Sequence, residues 1–217
     1  MNKLRPLKPF FLFITVLLFI TVLLNSTFTL ATDIDPKKQL KVKLAMLSTY
    51  QANFTQTVVD IENTLLQQAS GRIVLQQPNN LYWELFEPNE SVLLADGDNI
   101  WNVDPFLEQV VVYGSGAALE NNPLILLTNP DSSQWQEFEV SQSDGQFIIT
   151  PLVFNGGIES LRLVFDGDTL VKLESQDGQQ QKSVLSFTDI KQNHPLPVDT
   201  FIFVMPDGYE LDDQRKP

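Results

Sequence analysis

The sequence predicts a mainly β protein, built as a β-sandwich or a strongly curved antiparallel sheet. Three observations carry this. Four Asp-Gly pairs, Asp96-Gly97, Asp144-Gly145, Asp166-Gly167 and Asp177-Gly178, separate strand-like runs, and Asp-Gly tolerates the positive φ of tight hairpin turns. The runs between them alternate with period two. No sequence repeat of fixed period appears.

Along the chain, residues 1–31 read as a cleaved secretory signal. Lys3, Arg5 and Lys8 form a basic start, and Phe10–Leu24 is apolar apart from two threonines. That run is shorter than the about 20 residues a spanning helix needs. Thr29-Leu30-Ala31 supplies small residues at the cut, and no Cys stands there to carry a lipid anchor. The expected mature chain is a single domain, residues 32–217, after a loose start at Thr32–Ile34.

A helix is expected from Pro36 to about Gln51. Asp35 suits the cap and Pro36 the first turn. Leu40, Leu44, Leu47 and Tyr50 or Gln51 follow helical spacing, with Lys37, Lys38, Lys41 and Lys43 on the remaining surface. Strand faces then follow in pairs. Ile73, Leu75 and Gln77 oppose Arg72, Val74 and Gln76. Leu81, Trp83 and Leu85 oppose Tyr82, Glu84 and Phe86. Leu161, Leu163 and Phe165 oppose Arg162, Val164 and Asp166. Phe201, Phe203 and Met205 oppose Ile202 and Val204. A second, short helix is expected to start at Asn122-Pro123, run through Leu124-Ile125-Leu126-Leu127 and stop at Asn129-Pro130. The tail after Pro206 reads as a polar loop.

Composition narrows the function. The chain carries 27 acidic against 14 basic residues, a formal charge of −13, and loss of the signal makes it more acidic still. Nucleic-acid binding needs clustered Lys and Arg and is not expected. Anionic lipid surfaces should repel the chain, and basic partners should attract it. With no Cys, disulfides, thiol catalysis and thiolate metal sites are excluded. His194, the only histidine, lies in a turn-like Asn193-His194-Pro195 stretch without a nucleophile elbow. No carboxylate pair, Gly-rich phosphate loop or metal-ligand cluster stands out, so neither an enzyme nor a cofactor is expected. Trp83, Trp101, Trp135 and the phenylalanines serve either as plain core or as the lining of an apolar ligand site covered by the two helices.

Several pieces, in order, resemble the LolA family of periplasmic lipoprotein carriers. They are Phe54-Thr55-Gln56-Thr57, Gln77-Pro78-Asn79 leading to Trp83, and Asp96-Gly97 with Trp101. Asp104-Pro105-Phe106-Leu107-Glu108-Gln109, Pro123 with its apolar run, Ser133-Gln134-Trp135 and Asp212-Asp213-Gln214-Arg215-Lys216 complete the set. The resemblance covers nearly the whole mature chain. It implies an unclosed antiparallel half-barrel with a lid of short α-helices over an apolar cavity. It also implies a soluble, monomeric carrier of acylated lipoproteins in the periplasm, without stable membrane insertion. Its implied partners are an inner-membrane ABC transporter, LolCDE, and an outer-membrane receptor, LolB. Lid and cavity positions carried over by the resemblance are Leu44, Leu47, Leu81, Trp83, Trp101, Phe106, Leu124 and Leu127. One departure stands out: many members place an Arg before the Pro that is here Pro78, and that Arg is thought to hold the lid closed. Here the position is Gln77, which donates a hydrogen bond without charge assistance. Two readings remain beside the carrier. One is a LolA-like periplasmic sensor or binding module for another lipid or acylated ligand. The other is a structural β domain with a filled core.

Overall fold

The structure, a computed structural model, describes residues 35–114, 123–154 and 156–215. The signal segment 1–31, the Asn122 helix start and Lys216 lie outside the described residues. Helix α1 spans Pro36–Ala45. Strands β1 (Thr49–Val59), β2 (Leu65–Gln76), β3 (Asn80–Leu85), β4 (Ser91–Asp96), β5 (Asn99–Asp104) and β6 (Gln109–Gly114) follow as a meander. Two 3-10 helices, Pro123–Thr128 and Ser133–Glu137, lead into β7 (Phe138–Ser143), β8 (Gln146–Pro151), β9 (Ile158–Asp166), β10 (Thr169–Asp177) and β11 (Lys182–Gln192). A last strand, β12 (Glu210–Asp213), pairs in parallel with β6.

All twelve strands form one sheet, ordered β12-β6-β5-β4-β3-β2-β1-β11-β10-β9-β8-β7. β12 and β7 are its free edges, so the sheet is not closed into a barrel. Its curvature follows from distances. Helix α1 touches β7, yet its carbonyl at Leu44 meets Gln77 just after β2. In a flat sheet the six strand steps from β2 to β7 would span about 29 Å. The ten residues of α1 reach only about 15 Å. The sheet therefore curls around the helix.

The concave face carries the core. Tyr50, Phe54, Ile73, Leu81, Leu163, Leu173 and Phe187 form one contiguous buried cluster with Leu40 and Leu44 of α1 and Leu126 of the first 3-10 helix. Period-two patterning thus resolves into a curved sheet. The Asp-Gly turns fall between β4–β5, β7–β8, β9–β10 and β10–β11, as expected. The fourth works differently from the others: Gln180, at φ 62°, takes the left-handed position. A Cβ at Gly178 would collide with the ring of Phe154.

Four expectations need correction. The first helix ends at Ala45, not Gln51, and Tyr50 belongs to β1. A distant side chain makes the break: Asn193 accepts from the Ser48 N–H at 2.8 Å and donates to the Met46 carbonyl at 3.0 Å. The second helix is 3-10 rather than α. Phe201–Met205 forms no strand; it crosses the convex face as irregular chain, where Phe203 stacks on Trp101 at 4.1 Å. The tail is not all loop, because β12 extends the sheet edge and Gln214 donates to the Val112 carbonyl.

Candidate functional site

The site is the contact between the concave face and the helical segments that lie on it. Asp35 starts α1 by accepting from the Lys37 N–H at 3.0 Å, and Pro36 occupies the first turn. The helix turns Leu40 and Leu44 toward the sheet, and Leu47 follows them in the connection to β1. Leu124, Leu126 and Leu127 of the Pro123–Thr128 helix join the same cluster, as does Trp135. Leu44 is 1% exposed and Leu81 is fully buried. As folded, these side chains belong to one buried cluster.

Five of the nine sequence-derived positions, Leu44, Leu47, Leu81, Leu124 and Leu127, meet in this cluster. Trp83 packs against it, half-buried, and lies on Phe54 with ring centroids 4.3 Å apart. Gln77 stands at its edge and donates from Nε2 to the Leu44 carbonyl at 2.6 Å. Trp101 and Phe106 are elsewhere. Trp101 shares the convex face with its register neighbours Leu94 and Val112, under Phe203. Phe106 sits in the β5–β6 turn and is 93% exposed. Neither contributes to the concave cluster.

Polar contacts fasten the helical segments to the rim. Lys37 Nζ donates to the Trp135 carbonyl at 3.1 Å. Lys43 Nζ donates to the Gly167 carbonyl and pairs with Asp168 at 2.7 Å. Asn129 donates to the Asn79 side chain at 2.9 Å, and Trp135 Nε1 donates to the Asn129 carbonyl. Tyr50 OH donates to the Leu170 carbonyl at 2.8 Å inside the cluster, and burial pushes its phenol pKa up. Sequence reasoning missed Asn193, Asn79, Asn129 and Lys43, because a polar side chain in a loop carries no signal of its distant partner. The apolar weight of the contact is large. Each fully buried Leu is worth roughly 1.5–3 kcal/mol, whereas each neutral hydrogen bond among these contacts contributes about 1 kcal/mol and the surface Lys43–Asp168 pair about 0–1 kcal/mol.

Among the described residues no group of three metal-ligating side chains occurs. His194 is exposed in its turn, and its carbonyl accepts from Thr49 Oγ1 at 2.8 Å. No helix among the described residues is long and apolar enough to cross a membrane.

Comparison with known proteins adds identity to this geometry. Residues 45–204 match the family model "Outer membrane lipoprotein carrier protein LolA". The outer-membrane lipoprotein carrier protein of Shewanella sediminis is 39% identical over 176 residues, covering 81% of this chain and 85% of its own. That of Aeromonas salmonicida is 35% identical, covering 83% of this chain and 90% of its own. Among solved structures, an uncharacterized conserved protein from Thermus thermophilus shares the fold at TM-score 0.51 and 10% identity, over 82% of this chain and 98% of its own. The chain belongs to the LolA family of outer-membrane lipoprotein carrier proteins.

Proposed function

We propose that this protein carries lipoproteins across the periplasm by exchanging its own buried leucines for their acyl chains. One observation carries the reading: the concave face and the helical segments bury a large apolar surface, yet only short elements cover it. A ten-residue α-helix and a six-residue 3-10 helix are marginal on their own. They serve as a lid whose closure rests on contacts that an acyl chain reproduces. Leu44, Leu47, Leu124 and Leu127 are its contacts, and Leu81 and Trp83 are the wall beneath. Trp101 and Phe106 are not included.

The energetics suit a shuttle. Burying one methylene is worth about 0.8 kcal/mol, so one long acyl chain carries roughly 10 kcal/mol. A lipoprotein cannot cross water with that surface bare. An empty carrier with an open apolar site would aggregate or adhere to membranes, and self-contact by the leucines prevents this. Opening then shifts an equilibrium between self-contacts and acyl contacts. Because the self-contacts compete, net binding is loose enough for handover. The source we assign is the inner-membrane transporter LolCDE, and the acceptor is the outer-membrane receptor LolB. Transfer between apolar sites needs no cofactor or chemistry at this protein, which works as a monomer. Export through the 1–31 signal, with no lipidated Cys, leaves the mature chain untethered, as a shuttle between two membranes requires.

The test is saturable uptake of a fluorescent long-chain fatty acid by the mature protein. Wild type should bind it. Leu44→Glu, which places a carboxylate among the lid contacts, should weaken binding about tenfold or more, with far-UV circular dichroism of the sheet retained. A wild-type protein without saturable uptake is a filled-core domain, and the carrier reading falls.

A further inference from the structure

We infer that the end of the sheet opposite Gln77 holds a docking groove for a basic, apolar-tipped polypeptide loop of a protein partner. It extends the carrier reading, because a carrier must be recognised by what loads and unloads it. β3 starts beside Gln77 and runs six residues to Leu85, so the groove lies about 20 Å from the lid contact. A cleft of about 660 Å³ lies between the β3–β4 and β5–β6 turns, lined by Glu87, Pro88, Asn89, Glu90, Asp104, Pro105 and Phe106. It adjoins a second cleft of about 500 Å³ that shares Glu87, Glu90 and Pro105 and continues along Leu85, Phe86 and Val92.

The apolar groups here are displayed, not merely uncovered. Asp104 Oδ1 accepts from the N–H groups of Phe106 and Leu107 at 2.9 and 3.0 Å, which fixes the turn. Phe106 and Leu107 are therefore held outward, and Phe86 is also exposed at the far side of the groove. An exposed aromatic ring on a turn whose backbone is fixed is the form a binding anchor takes, since only the side chain remains to be ordered on contact. Its exposure disfavours the isolated molecule, so a partner that covers it gains that surface.

Charge selects the partner. Glu87 and Glu90 edge both clefts, and neither forms an ion pair among the described residues. Glu84, on the same groove, is already engaged by Arg72 at 2.6 Å. No Lys or Arg lines either cleft. An anionic lipid surface is repelled here, and an acidic peptide equally so. A loop that carries Arg or Lys beside an apolar side chain satisfies both the carboxylates and the rings.

The chain's lack of Cys and its general acidity shape the test, because any cation will adhere loosely to such a surface. The probe is a 12-residue peptide of alternating Arg and Leu carrying a photoactivatable diazirine side chain, titrated into the mature protein. Crosslinks should map to residues 84–92 and 104–107. Phe106→Ala, which changes no charge, should weaken binding about tenfold, and Glu87→Gln with Glu90→Gln should do the same. Fatty-acid uptake by these variants should match wild type. Crosslinks scattered over the acidic surface would overturn the groove. So would unchanged peptide affinity in Phe106→Ala. Loss of fatty-acid uptake in Phe106→Ala would return the ring to the acyl site and overturn the assignment. Phe106-dependent sedimentation with phosphatidylglycerol vesicles would show a membrane contact instead. Peptide binding at the groove without fatty-acid uptake by wild type would fail the carrier reading and leave the groove standing.

Discussion

A neutral carboxamide fastens the β2–β3 turn to α1. Gln77 Nε2 reaches the Leu44 carbonyl at 2.6 Å, so this contact with α1 forms without a guanidinium. What is missing is charge assistance. A hydrogen bond to a charged group contributes about 1 kcal/mol more than a neutral one, which is roughly fivefold in an opening equilibrium. Gln77→Arg should therefore cut uptake of an apolar dye by the empty protein about fivefold. Equal uptake by the two proteins would show that this contact does not govern opening. The concave leucines were legible in the sequence because helix and strand periods each leave one apolar face. Trp101 and Phe106 were not. Runs such as Val92-Leu93-Leu94-Ala95 and Val110-Val111-Val112 are apolar on both faces, so alternation cannot say which side a neighbouring aromatic joins. The outer side is buried too: Leu94, Val103, Val110 and Val112 are all buried outside the concave cluster.

Elements at the chain's end show how tertiary contacts override local pattern. Phe201–Met205 alternates like a strand, yet it finds no free edge where it crosses and packs by single residues instead. Glu210–Asp213 has no strand-like pattern, yet it pairs because β6 offers an open edge. Sequence shows a strand's face but not a vacancy beside another strand. Hydrogen bonds from Arg215 hold β12 at its end and keep the Asp213 carboxyl down to about 2, below the ordinary 3.8. The Arg215 guanidinium also lies 5.9 Å from the Trp101 ring centroid and reaches Asn99. Nearby Asp96 is opposed by burial, but hydrogen bonds from Trp101 Nε1 and the Asn99 and Asp98 N–H groups outweigh it and lower its pKa. For Asp213 the folded value is the lower one, so the contact is intact above pH about 4 and is lost as pH falls toward about 2. The Trp101 environment, followed by tryptophan fluorescence, should change across that window. The step should shrink in Asp213→Asn, where only Asp96 still titrates beside Trp101. Superimposable traces for the two proteins would dissociate β12 from this ion pair.

At the scale of the molecule, charge is divided between two ends. Four of the 14 basic residues, Lys37, Lys38, Lys41 and Lys43, lie on α1. The groove near Phe106 carries Glu84, Glu87, Glu90 and Asp104 and no base in its lining. A net charge of −13 attracts a basic partner, and carboxylates at the groove with no base beside them add direction to that attraction. Such steering decays with salt, since the screening length shortens from about 30 Å at 0.01 M to about 8 Å at 0.15 M. Uptake of lipoprotein from transporter-bearing membrane vesicles should therefore slow as ionic strength rises. The slope should flatten when Glu87→Gln and Glu90→Gln are combined, because these carboxylates face the partner directly. Removing two acids far from the groove, with Asp131→Asn and Glu139→Gln, alters net charge equally and should leave the slope close to wild type. Equal slopes in all three proteins would mean that net charge alone governs the encounter, and orientation through the groove would be excluded.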